Sequence, residues 1–307
     1  MKGMHDVFLW RQMPDYERLK PHPANAAYRE AFYRRWGIEN CIVCGTGRNA
    51  EYASFRQRLS VKLARGGRER YFVDGRSIAV DDDSFLILND ERTYGSRFES
   101  NVDIQSFSIF FRPGMAEEVF GAVMTPIERA LADGGEGRQR PVEFLEALQP
   151  HDTVVSPVLR YIQYGVSSGI DDGNWYEEQL QFLLERMLAH HRRISEQMER
   201  LPALKTATRR EIVRRLALAV DLVHERYQDD IDLTQMARAA CLSKFHFLRL
   251  FTELHGITPH AYLQRKRALA ASRLLVNRTL GATQVAERVG FNSRSTMARQ
   301  LRRLSLD

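Results

Sequence analysis

The chain lacks the features of a membrane-spanning, secreted or disulfide-bonded protein. Its 307 residues contain no apolar run of the roughly 18 residues that a membrane helix needs. The opening Met-Lys-Gly-Met-His-Asp has no apolar signal-peptide core, and three cysteines are too few for a disulfide framework. We therefore expect a cytoplasmic protein that does not enter a membrane.

Residue patterns of catalytic and metal sites are also scarce. Residues 51–112 contain neither histidine nor cysteine, although a metal-dependent enzyme on these strands would need several such ligands. His190 and His191 are adjacent and lack the i, i+4 spacing that binds a metal on a helix. No phosphate-binding loop, dinucleotide-binding fingerprint or Ser-His-Asp arrangement is recognisable. The sequence thus predicts a protein that is not an enzyme and has no cofactor or metal.

One pair of cysteines, Cys41 and Cys44, does have a spacing used in redox and zinc sites. Redox chemistry of the thioredoxin type needs such a pair at the start of a helix, and structural zinc needs a second pair of ligands. A Gly-Thr-Gly segment follows Cys44 instead, and no second pair exists. We therefore interpret both cysteines as buried structural residues.

What the sequence does contain is a basic C-terminal third. The whole chain has 45 Lys and Arg against 39 Asp and Glu. Residues 201–307 hold 19 of these basic and 9 of these acidic residues, so the first 200 residues are net acidic. The length favours two domains. A net positive charge on the C-terminal one of these domains favours binding to the phosphates of a nucleic acid.

The basic segment contains one helical pattern twice. The copies run from Leu233 to Phe251 and from Ala282 to Leu301. Each predicts a short amphipathic helix, a tight turn and a second helix with an arginine two residues before a large apolar residue. This pattern is typical of a helix-turn-helix, whose second helix can lie in the DNA major groove.

Helix-capping and turn-forming residues occupy the positions that two helix-turn-helix units require. Asp232 and Gln235 have the spacing of a capping box, and Gly290 suits a turn with positive φ. Cys241 holds the matching position in the first copy. The candidate N-cap residues of the two second helices are Ser243 and either Asn292 or Ser293.

A longer helix is predicted between the copies. Thr258 as N-cap and Pro259 at the first helical position start it, and it extends to Leu275. Such a helix is a rod of roughly 25 Å. It can hold two recognition helices in successive turns of the major groove, which lie about 34 Å apart.

This arrangement resembles the DNA-binding domain of the AraC/XylS family of transcription regulators over roughly residues 209–303. The matching residues are Ala237, Ser243, Arg249, Phe251, Gly256, Pro259, Tyr262, Leu263, Arg267, Ala271, Leu274, Leu275, Ala286, Gly290, Phe291 and Arg299. A helical bundle in which these positions merely pack is the alternative. The family usually has Phe where Met297 and Leu301 stand. It also usually continues with one more helix after the second recognition helix, whereas this sequence stops at Asp307. We therefore expect residues 280–307 to be the least stable part of this domain.

The resemblance and the helical spacing together predict the residues that contact DNA. Those expected at the bases are Lys244, Phe245, His246, Leu248 and Arg249 in the first copy, and Arg294, Ser295, Ala298 and Arg299 in the second. Those expected at phosphates are Arg265, Lys266, Arg273, Arg302 and Arg303. Double-stranded DNA is the expected partner, and the family resemblance also implies RNA polymerase.

Residues 51–112 favour short β-strands. Arg70–Val80 has the pattern of a hairpin with Asp-Gly at its turn, and Ser84–Leu88 is a buried apolar run. Such strands suggest a small barrel or jelly roll. Proteins of the resembled family often carry a cupin-like sensing domain at this place. The resemblance therefore implies a small-molecule effector, whose binding residues the sequence does not identify.

The predicted fold class is α+β, with a cupin-like barrel and flanking helices before an all-α domain of two helix-turn-helix units. The expected domains are an N-terminal extension (1–50), a sensing domain (51–135), a helical linker or dimerisation region (150–204) and the DNA-binding domain (209–307). A heptad-like seam from Leu180 through His191 to Leu201 either joins a homodimer or packs on the β domain of its own chain.

The resulting prediction is a sequence-specific transcription regulator controlled by an effector. Two alternatives stay open at this point. The protein could regulate constitutively without a ligand, or it could be a cupin-like enzyme with an accessory helical domain.

Overall fold

The computed structural model divides the chain into two compact units, Met1–Arg193 and Ile194–Asp307. The residues that it describes are 7–11, 14–19, 22–36, 38–124, 141–199, 206–276 and 280–304. Leu201 of the predicted seam lies outside these ranges.

Among its described residues, the N-terminal unit contains eight strands. They are β1 (Val7–Trp10), β2 (Asn40–Arg56), β3 (Ser60–Arg65), β4 (Glu69–Val73), β5 (Arg76–Val80), β6 (Ser84–Leu88), β7 (Thr93–Phe110) and β8 (Leu148–Pro150). Its helices are α1 (Tyr16–Leu19), α2 (Ala26–Arg35), α3 (Met115–Val123), α4 (Ser156–Ser167) and α5 (Gly173–Glu199).

The long strand β7 lies at the centre of one mixed sheet. It pairs antiparallel with β2 on one side, and with β3 and β4 on the other. β1 extends the sheet parallel to β2, β6 and β8 follow β3, and β5 follows β4. The predicted hairpin is formed by β4 and β5, with Asp74 and Gly75 at φ 49° and 74° in its turn. The α+β class is confirmed, whereas a closed cupin-like barrel stays a prediction because no pairing between described strands closes the sheet.

The structure does not separate residues 1–50 from the sheet. β2 runs from Asn40 to Arg56, across the boundary expected at residue 50, and β1 pairs with it. The register of β2 with β7 shifts between Gly47 and Asn49 and again between Tyr52 and Phe55, so β2 lacks the regular alternation that predicts a single long strand. Each such irregularity moves side chains to the other face of the sheet.

One face of the sheet packs against the helices of its own unit. Odd-numbered residues of β3 and β7, such as Val61 and Phe107, form one apolar core with α3, α4 and α5. In α5, Leu180, Leu184 and Met187 are fully buried in this core. The first half of the predicted seam is therefore occupied by packing within the chain. Fully burying each such side chain contributes about 1.5–3 kcal/mol.

The C-terminal unit is helical. Its helices are α6 (Thr206–Arg226), α7 (Leu233–Ala239), α8 (Lys244–His255), α9 (Pro259–Val276), α10 (Ala282–Arg288) and α11 (Arg294–Leu304). The predicted linker helix is α9, and it packs against each of the other five. Buried alanines on α9, including Ala268 and Ala271, leave room for this close approach.

Candidate nucleic-acid interface

The two helix-turn-helix units start with the same local contacts. At the start of α7, the Asp232 amide donates to Gln235 Oε1 at 2.9 Å, and the Gln235 amide donates to Asp232 Oδ1 at 2.7 Å. This is the predicted capping box. Before α10, the Gly281 amide donates to Gln284 Oε1 at 3.0 Å. Both units therefore use a glutamine side chain to satisfy a free amide at the helix start.

The turns also repeat. The Leu242 amide donates to Ala237 O at 3.0 Å, and the Phe291 amide donates to Ala286 O at 2.8 Å. The residue before each donor has positive φ, with Cys241 at 52° and Gly290 at 87°. The sequence prediction for both turn positions is therefore confirmed.

The start of the second recognition helix differs by one residue from that of the first. α8 follows Ser243, which stands at the N-cap without a side-chain bond. In the second unit the Thr296 amide donates to Ser293 Oγ at 3.2 Å, so Ser293 is the cap rather than Asn292. The turn of the second unit is therefore one residue longer than that of the first. The Phe247 amide donates to Ser243 O, and the Met297 amide donates to Ser293 O, so Met297 corresponds in position to Phe247.

A buried arginine on α9 joins three parts of the domain. Arg267 Nε donates to Tyr227 O at 2.7 Å, and an Nη of the same side chain donates to Asp229 O at 2.7 Å. Both carbonyls follow the end of α6. A Cβ at Gly290 would lie 3.0 Å from Arg267 Nε and 2.6 Å from Gln228 O, so the second turn is packed directly against this contact. In the sequence, Arg267 is a family match within the predicted linker helix, and no local pattern predicts this contact.

Most of the predicted DNA-contacting side chains lie at the surface of the two recognition helices. The exposed ones are Lys244, Phe245, His246, Arg249, Arg294, Ser295, Arg299 and Arg302, and the half-buried ones are Leu248 and Ala298. Phe245 is 88% exposed, the highest value among the large apolar side chains of the described residues. The buried side of α8 is formed by Phe247, Leu250 and Phe251, and that of α11 by Met297.

The predicted phosphate contacts need one correction. Lys266 is only 3% exposed, and its Nζ lies 5.5 Å from the centre of the Tyr227 ring, so it packs inside the domain. The helical spacing could have indicated this burial, because Lys266 lies three residues after Leu263 and four residues before Ala270, and both of these are buried. Arg273 is half-buried, whereas Arg265, Arg302 and Arg303 are exposed as phosphate contacts require.

The cysteine pair lies on β2, where its geometry does not suit chelation. Cys41 is opposite Phe110 and Cys44 is opposite Phe107, which places the two thiols on opposite faces of the sheet. Burial raises the pKa of Cys41 to about 12. Within the described ranges, no group of three or more His, Cys, Asp or Glu could hold a metal ion, and no helix is long and apolar enough to cross a membrane.

Comparison with known families identifies the C-terminal part of the chain. Residues 236–305 match the model of a helix-turn-helix domain family, and this part of the chain is an AraC-type DNA-binding domain. The probable transcriptional regulator LumQ of Photobacterium leiognathi is 34% identical over 89 residues, which are 29% of this chain and 36% of LumQ. The virulence regulon transcriptional activator VirF of Yersinia enterocolitica is 31% identical over 81 residues, 26% of this chain and 30% of VirF. The chain thus matches about a third of these relatives' length.

Two solved structures are also similar. The DNA-binding domain of AdpA in complex with a target DNA is 32% identical and has a TM-score of 0.28, covering 29% of this chain and 80% of that one. ToxT from Vibrio cholerae is 10% identical with a TM-score of 0.34, covering 85% of this chain and 93% of ToxT. These scores are too low for any feature of either structure to be transferred.

Proposed function

We propose that the protein is a sequence-specific, DNA-binding transcription regulator that reads DNA with both α8 and α11. The observation that carries the proposal is the repeat itself: two helix-turn-helix units, each with an exposed face that holds cationic and polar side chains. The relatives that match this domain are named as transcriptional regulators or activators. The surrounding sequence is basic, which favours binding to phosphates.

In the first unit, Arg249 is the proposed reader of a guanine, because an arginine can donate two hydrogen bonds to its O6 and N7. Phe245 leaves 88% of its side chain exposed, and the methyl group of a thymine is the apolar group that the major groove offers. Lys244, His246 and Leu248 border these two side chains on the same helix.

In the second unit, Arg299 takes the place of Arg249, and Arg294 and Ser295 lie one turn earlier. Ala298 is small enough to meet a thymine methyl. Arg302 and Arg303, together with Arg265 of α9, are proposed phosphate contacts. None of these three arginines forms an ion pair with another described residue, so their charges are available to DNA.

The proposal is tested by comparing Arg299→Ala with Arg265→Ala. DNA selected from a random pool gives the preferred sequence, and binding is then measured on this and on a scrambled duplex over a range of salt concentrations. Arg299→Ala should cost about 1–3 kcal/mol on the preferred sequence and relax one base position. Arg265→Ala should reduce the affinity for both duplexes equally. It should also reduce the salt dependence of binding by the amount that corresponds to about one phosphate contact. Equal losses on both duplexes for Arg299→Ala would refute its assignment as a base reader.

Phe245 allows a test at the level of one methyl group. Replacing each thymine of the preferred site by uracil removes only that methyl. At the thymine that Phe245 contacts, the wild-type protein should lose affinity on replacement by uracil, whereas Phe245→Ala should bind the thymine and uracil duplexes equally well at that position. A uniform response of both proteins at every thymine would refute the contact.

Control by a small-molecule effector, assembly as a homodimer and contact with RNA polymerase belong to the same proposal. A regulator with a sensing domain should change its DNA affinity when a specific small molecule is added. A constitutive regulator should not, and a cupin-like enzyme should transform the molecule. Binding of selected DNA with and without fractionated metabolites, followed by analysis of those metabolites, distinguishes these cases.

A further inference from the structure

The backbone of the second helix-turn-helix unit touches the backbone that leads into the first. Gly290 lies in the turn between α10 and α11, and Gln228 lies in the loop between α6 and α7. A Cβ on Gly290 would be 2.6 Å from Gln228 O and 3.0 Å from Gln228 C, so the missing side chain is what permits this approach. The two units are therefore joined by a direct contact in addition to α9.

Arg267 of α9 holds the loop side of this contact. Its Nε donates to Tyr227 O at 2.7 Å, and one of its Nη atoms donates to Asp229 O at 2.7 Å. These two carbonyls lie on either side of Gln228 in the chain, so one side chain spans the residue that the second turn touches. The guanidinium group is planar and its donors have a fixed geometry, so two such bonds fix the position of the loop.

Both sides of the contact connect to helices through a few well-packed residues. In the second turn, the residues next to the glycine, Val289 and Phe291, are buried. In the loop, the Ile231 amide donates to Asp229 O at 2.9 Å, and Asp232 then starts α7 with its capping box. A close-packed interior transmits a displacement instead of absorbing it. The contact therefore ties the position of the second unit to that of the first.

We infer that the contact among Arg267, Gln228 and Gly290 makes the two units one rigid body, which accepts a single spacing between the two DNA half-sites that α8 and α11 read. This property rests on the proposed function, because it adds a spacing requirement to the DNA that the protein binds. Arg267 is 7% exposed. It is thus a positioning residue, which acts on DNA recognition through the loop and the turn that it holds.

The geometry of DNA makes spacing a sensitive measure of rigidity. One inserted base pair moves a half-site by about 3.4 Å along the helix axis and turns it by about 35°. A hydrogen bond to a base requires a donor–acceptor distance of about 2.7–3.2 Å, so a rigid protein loses the base contacts of one unit. A protein in which the second unit can rotate about α9 would follow the displaced half-site and keep those contacts.

Binding of the full-length protein to duplexes with altered spacing tests the inference. The half-sites are the bases whose preference is lost in Arg249→Ala and in Arg299→Ala, and one base pair is inserted or removed between them. The wild-type protein should bind the original spacing at least about 10-fold more tightly than either altered spacing, as the loss of a bidentate base contact implies. Arg267→Met should reduce this ratio to about 3-fold or less. Because both affinities come from one protein sample, a fraction of unfolded protein leaves their ratio unchanged.

Two further variants separate positioning from general packing. Lys266→Met is the matched control, because Lys266 is 3% exposed on the same helix and its Nζ lies 5.5 Å from the centre of the Tyr227 ring. It should keep the wild-type ratio. Gly290→Ala disturbs the contact from the other side and should reduce the ratio as Arg267→Met does. It provides the test if Arg267→Met does not fold.

Three results would overturn the inference. One is a wild-type protein that needs both half-sites but binds all three spacings within about 3-fold. Another is a wild-type ratio in folded Arg267→Met or Gly290→Ala. The third is a ratio that falls as far in Lys266→Met as in Arg267→Met, since any buried substitution would then have the same effect. In all three cases the two half-sites are still read. Binding that depends on one half-site alone would instead refute the proposed reading by both helices.

Discussion

Replacing Gly290 by alanine tests the geometry that joins the second helix-turn-helix unit to α9. Gly290 has φ 87°, which alanine adopts only with strain. An added Cβ would lie 2.6 Å from Gln228 O, a backbone atom, and 3.0 Å from Arg267 Nε. The Arg267 side chain is itself held by two carbonyls, so neither neighbour can move freely.

The expected loss can be divided with a matched control. Gly256 has φ 71°, but a Cβ there would meet nothing within 4 Å. Gly256→Ala therefore reports the backbone strain alone, about 1 kcal/mol. Gly290→Ala adds the overlap, which overpacking typically makes about 1–3 kcal/mol, so its total should be about 2–4 kcal/mol. Cys241→Gly, at φ 52° in the first turn, should be neutral or stabilise by up to about 1 kcal/mol.

The assay is native-state hydrogen exchange of the full-length variants. Amides of α9, α10 and α11 report the opening free energy of the DNA-binding domain, and amides of β7 in the other unit serve as an internal reference. The same loss for Gly290→Ala and Gly256→Ala would refute the argument, because the close approach to Gln228 would then contribute nothing.

Three further predictions follow from the packing and burial of particular side chains. Arg267→Met removes two charge-assisted hydrogen bonds and should lower the free energy of unfolding of the domain by about 2–4 kcal/mol. Arg265→Met, on the exposed side of the same helix, should change it by less than about 0.5 kcal/mol. Chemical denaturation measures both variants, and equal effects would contradict the role of Arg267. The amides of α11 should exchange faster than those of α8, because α11 buries one side chain where α8 buries three, and equal protection would mean that the sparse core has no consequence. Cys241 is exposed and should react with a thiol reagent before Cys44, while Cys41 should react only on unfolding; rapid labelling of Cys41 in the native protein would contradict its burial.

The helical unit was largely predictable because its structure follows local rules. The capping residues, the positive-φ positions Cys241 and Gly290, and the start of α9 at Thr258 all depend on contacts a few residues apart. The Thr258 hydroxyl does accept a hydrogen bond from the Ala261 amide at 3.2 Å. Such short-range chemistry is visible in a sequence.

Features that depend on tertiary contacts were harder to predict. The burial of Lys266 and the role of Arg267 are set by contacts with Tyr227 and the residues just after it, which follow α6 and are distant in sequence. The joining of residues 1–50 to the sheet is set by the pairing of β2 with β7, whose partners are far apart in the chain. A sequence pattern also could not decide whether the Leu180 seam packs on its own unit, since burial inside a domain and burial in a dimer require the same apolar spacing.

The central claim, that one chain reads DNA with two recognition helices, is tested most directly by mapping base preference in two single variants. Binding of Arg249→Ala and Arg299→Ala is measured against every single-base change in the preferred site. Each variant should lose its preference at a different position, and the two positions should lie about one helical turn, roughly 10 base pairs, apart. Loss at the same position in both variants, or unchanged preference in either one, would contradict the account.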